Sequence, residues 1–561
     1  MENKCSNKEI IKKNNSGRKK DQIYKDFIKD QSNCKYVCNV NDCKQLFSIK
    51  SSTSTLKNHI INKHQDYYSK KLDKTNNINK TNNMDIVKKT NIHTAYSRAF
   101  AKNSLPHSLL ENNYFLELIA AIKEHSDVII TKQKLRELII SDGNKIKNDI
   151  INNLKISRQP ITLAIDGWTN VRSNKVINLM LIVNGNIYYY DSIENKEKRN
   201  TKEYLLELFE EKINVMLSQG LNLIAITTDN EILMKSTCND LVKKFPILLD
   251  IPCAAHLIQL CLKTICNSNN FKHTIDAIIN LLNKFKNKKK NRLKLHNLQQ
   301  KDNINPLKII YPSMVRWSSI IISVERILEL KKYITDIIDL DENFWINLDM
   351  FYDSTKEIKN FTNIIQNDNS SLHTVLDCFN KMITFYEPIN QDIIEIINQY
   401  WTKYIDKNLM NATKLFCFEI LIKPERALME FIGSWGALYL KKYKFTDEIN
   451  EEKIKKLLLV QLNRLLVRQK EFSKIEELIS ETKYEENNCN NVTYITKLVW
   501  GKLMVETYEL SKVAIAILSI HPTESCVERS FSILSNIHTL ERNNLHQDLI
   551  DAELSIKINL K

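Results

Sequence analysis

Between residues 161 and 251 the chain carries short apolar runs of strand type, and from about 256 to 515 its apolar residues recur almost only at helical spacing. Ile161–Ile165, Val176–Val183 and Ile187–Tyr190 read as three strands, with Asn184-Gly185 as the hairpin turn between the last two. Thr201–Leu217 reads as an amphipathic helix, Leu221–Ile226 as a fourth strand and Ile247–Ile251 as a short fifth. A meander followed by helix, strand, helix, strand predicts a mixed sheet, and neighbouring strand ends are where an α/β sheet collects ligands. Leu257–Ile265, Ile275–Phe285, Met314–Ile334, Pro424–Leu440 and Ile454–Leu466 read as helices, with Pro424 in a first turn. Only eight glycines and nine prolines in 561 residues agree with a helix-rich body. The fold class is therefore α/β plus α: a sheet interrupted by a large helical insertion.

Charge divides the chain differently. Residues 1–90 hold 20 Lys+Arg against 9 Asp+Glu, whereas the remainder holds 61 against 57. A basic module on a near-neutral body is the footprint of a phosphate-backbone binder. A solvated basic tail would explain the charge equally well, but not the ordered cysteines and histidines inside it. No apolar stretch approaches the length of a membrane span, and twelve cysteines in such a chain point to a reducing compartment, with thiols free, buried or on metal.

Cys38-x4-Cys43-x15-His59-x4-His64 has ligand types and order suited to a tetrahedral Zn²⁺ site of structural type. Leu46, Phe47, Leu56 and Ile60 would form the small core that metal binding helps to fold. Ser51–Thr55 offers a helix cap, and Lys57 and Asn58 fall on the exposed side of the helix. Cys34 remains an alternative ligand to Cys38, because the four-residue gap is wide for a cysteine knuckle.

Three carboxylates stand at places where an active site has its edge. Asp166 ends the run Ile161-Thr-Leu-Ala-Ile-Asp166-Gly-Trp168-Thr, Asp229 ends Leu223-Ile-Ala-Ile-Thr-Thr-Asp229-Asn230, and Glu528 lies in Ser525-Cys-Val-Glu528-Arg529-Ser-Phe531-Ser532, which opens a helix-like segment. Convergent carboxylates of this kind hold the pair of divalent ions that phosphoryl transfer uses. Each also has an ordinary reading. A strand-end Asp is a frequent turn residue or helix cap, and Glu528 could pair with Arg529.

The segments Asp166-Gly-Trp168-Thr, Thr227-Thr-Asp229-Asn230, Cys253-Ala-Ala-His256, Arg316-Trp317 and Glu528-Arg529-Ser-Phe531-Ser532 occur in an order that resembles the hAT superfamily of DNA transposases. Leu105–Phe115 upstream and the stretch from Tyr508 to Leu545 downstream extend the resemblance from about residue 104 to the C-terminus. Tyr24-x-x-Phe27 and Ser54-Thr-Leu56-Lys-Asn-His59 make the cysteine-histidine unit similar to a BED-type zinc finger.

The resemblance implies an RNase H-like sheet, with Asp166, Asp229 and Glu528 as catalytic ligands of Mg²⁺ or Mn²⁺. It implies Trp317 as a base-stacking residue, Arg316 as a phosphate contact and His256 as a DNA-facing or supporting residue. It also implies double-stranded DNA as partner, a nuclear location, and a homodimer or higher homo-oligomer through a C-terminal region that includes Leu510, Val513, Ile517 and Leu518. The corresponding division is a basic tail (1–20) that reads as disordered, the finger (21–68), a linker (69–103), a helical region (104–156), the first part of the catalytic core (157–265), the helical insertion (266–505) and the C-terminal dimerisation region with Glu528 (506–561). Departures from the family pattern fall at residues 231–234, which are Glu-Ile-Leu-Met, and at Ser535-Asn536. Two functional classes stay open: an active transposase, or a non-catalytic DNA-binding regulator derived from one.

Overall fold

The computed structural model describes residues 26–30, 35–48, 51–67, 91–103, 105–113, 115–116, 119, 131–170, 172–195, 201–313, 318–404, 406–419, 424–486, 489, 491–539, 542 and 545–560. The basic tail, Cys34, most of the linker, and both Arg316 and Trp317 lie outside them. The chain divides into two units, residues 1–95 and 96–561.

In the first unit, strands β1 (Phe27–Asp30), β2 (Lys35–Cys38) and β3 (Leu46–Ser48) form an antiparallel sheet, followed by helix α1 (Thr53–Lys63). Ser52 caps α1 by accepting the Thr55 N–H at 3.2 Å. Phe27, Leu56 and Ile60 are buried with Cys38, so the apolar core is only a handful of side chains. A core that small needs a second source of stability.

The second unit is built on the strands β4 (Ile161–Thr169), β5 (Lys175–Val183), β6 (Asn186–Asn195), β7 (Leu223–Thr228) and β8 (Leu249–Pro252), in the order β6-β5-β4-β7-β8. Asn184 and Gly185 both take positive φ (49° and 77°), the requirement of the two-residue turn that joins β5 to β6. The first three strands are antiparallel; β4–β7 and β7–β8 are parallel, with helices α3 (Lys202–Ser218) and α4 (Ile232–Lys244) in the two crossovers.

Side chains alternate between the two faces of the sheet. Ile177, Leu179, Leu181 and Val183 join one core with Leu205 and Phe209 of α3. Val176, Met180 and Ile182 join another with Leu135 and Ile139 of α2 (Lys132–Ser157).

From β8 onward the chain is helical: α5 (Ala254–Cys266), α6 (Lys272–Lys286), α7 (Lys289–Lys301), α8 (Ser318–Glu329), α9 (Lys331–Thr335), α10 (Glu342–Ile365), α11 (Leu372–Tyr386), α12 (Gln391–Trp401), α13 (Lys407–Phe416), α14 (Arg426–Lys442), α15 (Glu451–Leu466), α16 (Ile475–Glu485), α17 (Val492–Leu503), α18 (Tyr508–Leu518), α19 (Ser525–Ile537) and α20 (Gln547–Asn559). Helices α5 to α12 enclose a core of their own, in which Phe285, Phe351, Phe379 and Tyr386 are fully buried. Helices α13 to α18 instead pack onto the sheet. Among the described residues no helix is long and apolar enough to cross a membrane.

Two local expectations are corrected, and the apolar residues of α18 are placed. The segment read as one helix to Ile334 is broken at Leu330, which separates α8 from α9. Pro424 precedes the helix rather than entering its first turn, since Glu425 occupies the cap. Leu510, Val513, Ile517 and Leu518 are buried in the chain's own core. Their helical periodicity marks a face of α18 covered by α13, α14, α15 and α17 of the same chain.

Candidate active site and metal cluster

Strands β4 and β7 are parallel with Ala164 opposite Thr227; β7 stops at Thr228, whereas β4 runs on past Asp166 to Thr169, so Asp166 lies inside its strand and does not end it. Asp166 follows two residues after Ala164 and Asp229 two residues after Thr227, which sets both at one end of the sheet. Glu528 returns in the first turn of α19, which packs against β4 and β5.

Several contacts fix that helix. Asn178, the cross-strand neighbour of Asp166, donates from Nδ2 to Oγ of Ser530 at 2.8 Å in a buried contact. The rings of Trp168 and Phe531 stack with centroids 5.9 Å apart and planes 21° apart. The lead-in segment is held by the His521 N–H donating to Oγ1 of Thr162 at 3.0 Å and the Ala254 N–H donating to the Pro522 carbonyl at 2.9 Å.

The electrostatics of this end are those of crowded acids. Asp166 is half-buried and accepts the Gly167 N–H at 2.7 Å. Burial first, and then the negative charges of Asp229, Glu528 and Glu231, push its carboxyl up to about 7 against that hydrogen bond. Asp229 accepts the Glu231 N–H at 3.2 Å, so it also forms the turn into α4.

Glu524 is 3% exposed, and burial pushes it up to about 8, assisted by the charges of Asp166 and Glu528 and opposed by the Cys253 thiol. One of its carboxyl oxygens has no hydrogen-bond partner among the described residues. Arg529 turns away from the cluster to pair with Asp368 and to donate to the Gln366 carbonyl at 3.2 Å.

Cys253 and His256 do not meet as ligands. The Cys253 sulfur caps α5 by accepting the His256 backbone N–H at 3.4 Å, and the His256 side chain is half-buried in the first turn. Sequence reasoning missed Glu231 and Glu524 as members of the acidic cluster. The signals available were weak: Glu231 follows Asp229 by two residues, and Glu524 precedes Glu528 by one helical turn.

In the first unit the sulfurs of Cys38 and Cys43 and a ring nitrogen of each of His59 and His64 lie within 4.8 Å of one another. Sγ of Cys38 is 3.6 Å from Nε2 of His64, and Sγ of Cys43 is 3.5 Å from Nε2 of His59. With bonds of about 2.3 Å to sulfur and about 2.0 Å to nitrogen, tetrahedral Zn²⁺ sets ligand atoms roughly 3.5 Å apart. The four residues therefore fit a four-coordinate metal. Burial keeps His59 below its ordinary range, which favours the neutral imidazole that ligates metals. Lys57 and Asn58 are exposed on α1. The carboxylates of Asp166, Asp229 and Glu528 do not draw into so closed a set; among the described residues only the cysteine-histidine group does.

Residues 131–281, from α2 through most of α6, match the family model described as Domain of unknown function (DUF659), a domain found in hAT-family transposase-like proteins. No curated protein matches the chain.

Proposed function

We propose that the chain is a DNA-binding transposase of the hAT type, which cuts and joins DNA ends by divalent-metal phosphoryl transfer. The observation that carries this reading is the return of Glu528, after the long helical insertion, on a helix packed against β4, the strand that bears Asp166 beside Asp229 at the end of β7. The sheet order β6-β5-β4-β7-β8, with three antiparallel strands followed by two parallel crossovers, supports an RNase H-like core. The DUF659 match over residues 131–281 supports a transposase-related origin.

Asp166, Asp229 and Glu528 would hold Mg²⁺ or Mn²⁺. The fit rests on placement, with Asp166 and Asp229 on adjacent parallel strands and Glu528 on the helix packed against β4; a cation would offset the burial and the like charges that raise Asp166. When bound, the ions would activate a water or a 3′-hydroxyl and stabilise the leaving oxygen. The protein's own part is to fix the three carboxylates, through the Asn178–Ser530 bond and the Trp168–Phe531 stack. Cys38, Cys43, His59 and His64 would hold a structural Zn²⁺ in a BED-type finger, with Lys57 and Asn58 toward duplex DNA. A nuclear location and a homodimer or higher homo-oligomer belong to the same reading, with the pairing surface outside the buried face of α18.

The test is Glu528→Gln in the full chain, assayed for cleavage and for binding on DNA from the flanks of its own gene. Loss of cleavage with binding retained supports the transposase. A wild-type protein that binds this DNA and never cuts it, in the presence of Mg²⁺ or Mn²⁺, is the non-catalytic regulator instead.

A further inference from the structure

Between residues 277 and 301 the chain has eight Lys+Arg and no Asp or Glu. The run covers the end of α6, the connection and all of α7, and every one of the eight is exposed. Two of them have a local reason to be there: Lys284 and Lys286 lie in the last turn of α6, where the helix dipole favours cations. Arg292 is also accounted for, since it donates to the Phe285 carbonyl at 2.6 Å and to that of Lys286, and closes the same helix end.

Lys288, Lys289 and Lys290 have no such reason. They occupy the cap and first turn of α7, where no acidic residue stands and where the dipole disfavours a cation. Among the described residues none of the three forms an ion pair. Three adjacent lysines that repel one another and oppose their own helix would be stabilised by an anion bound from outside.

Beside them lies a groove of about 470 Å³, with Leu293, Pro306, Leu307 and Ile309 on its walls and Lys289, Arg292, His296 and Lys308 among its rim. Tyr311 stands in the same groove with the Arg292 guanidinium beside its hydroxyl. Arg316 and Trp317 follow a few residues along the chain.

We propose that the α6–α7 turn and this groove form a second DNA-binding surface, on the helical insertion, in which Lys288, Lys289 and Lys290 contact the phosphate backbone of duplex DNA. The inference rests on the DNA-binding reading above, and it assigns backbone affinity to a surface other than the cysteine-histidine module. A duplex presents one negative charge about every 1.7 Å of its axis, a density that a row of unpaired lysines matches. A non-specific contact of this kind positions DNA and carries no sequence information.

The experiment measures binding of labelled duplex DNA to the full chain across a range of salt, with Lys288, Lys289 and Lys290 all changed to Gln in one variant and all to Arg in another. The Gln variant should lose about tenfold or more in affinity at low salt, and its slope of log affinity against log salt should fall by about 2–3, near 0.9 for each phosphate no longer neutralised. The Arg variant should bind like wild type.

An unchanged slope and affinity in a folded Gln variant overturns the proposal while leaving DNA binding itself intact. Equal loss in the Arg variant overturns it too, since charge would not be the cause. A Gln variant that loses polyglutamate binding but keeps DNA binding shows a surface for acidic proteins, and also overturns it. A wild-type chain that binds no duplex at any salt overturns this inference together with the reading on which it rests.

Discussion

Asn178 and Ser530 stand 352 positions apart in sequence and share a buried hydrogen bond of 2.8 Å. The Ser530 hydroxyl donates in turn to the Val527 carbonyl at 2.6 Å, so the pair links the strand neighbour of Asp166 to the first turn of α19. Ser530→Ala leaves the Asn178 amide without its acceptor inside the protein. The cost should be about 1–3 kcal/mol by urea denaturation, the range for a buried polar group that loses its partner. A loss below about 0.5 kcal/mol would show that water replaces the hydroxyl and that the bond does not fix the helix.

The stack of Trp168 on Phe531 is the second tie. A double-mutant cycle with Trp168→Leu and Phe531→Leu should show coupling of about 0.5–1.5 kcal/mol, as for an aromatic pair. Additive effects would mean that the rings are neighbours without mutual stabilisation.

Asp166 sets a pH dependence. Its folded-state value is raised to about 7, so the folded protein binds this proton more tightly than the unfolded chain does. Both states are protonated below about pH 4, where no penalty exists; the penalty grows as pH rises and is complete above about 7. Asp166→Asn should therefore stabilise the metal-free protein at pH 8 by on the order of 2–4 kcal/mol, and by nothing near pH 4. Thermal melts of the two proteins at both values decide it: a gain that is the same at each pH cannot come from this titration. Added Mg²⁺ should reverse the order at pH 8 if Asp166 is a ligand.

Metal analysis of the purified chain should find one zinc per molecule, and Cys43→Ser or His59→Asn should remove it. Chelation should abolish the order of α1, read as lost amide protection over residues 53–63, while the second unit keeps its melting temperature. Protection of α1 that survives complete zinc removal would mean that the four ligands do not support the fold.

Much of the sheet is legible in sequence because strands buried on both faces are nearly continuous apolar runs, as in Val176–Val183. The hairpin is legible because Asn184-Gly185 is a pair that tolerates two positive φ values. Strand β4 runs three residues past Asp166, to Thr169, whereas the position of Asp229 follows from the end of its strand. Glu524 does not: nothing near it in sequence distinguishes a buried carboxyl from a surface one, and its burial is imposed by segments around Cys253 and Thr162. Nor does the inward face of α18, because periodicity reports that a helix has an apolar side but not which chain covers it. The basic run of α6–α7 is in plain view, yet charge summed over the whole body hides it, since the acids elsewhere cancel it.

The segment from His521 to Glu528 reaches the sheet only after the entire helical insertion has been made. During synthesis, Met180 and Ile182 on β5 have no α19 or α20 to cover them until the last residues emerge. At about 5–20 residues per second the delay between Asn178 and Ser530 is on the order of tens of seconds. Until then that sheet face has α2 but not α19 or α20 to cover it, and Glu528 is absent from the acidic end of the sheet. A chain stopped before α19 lacks that cover and presents apolar sheet surface of the kind that aggregates or recruits chaperones.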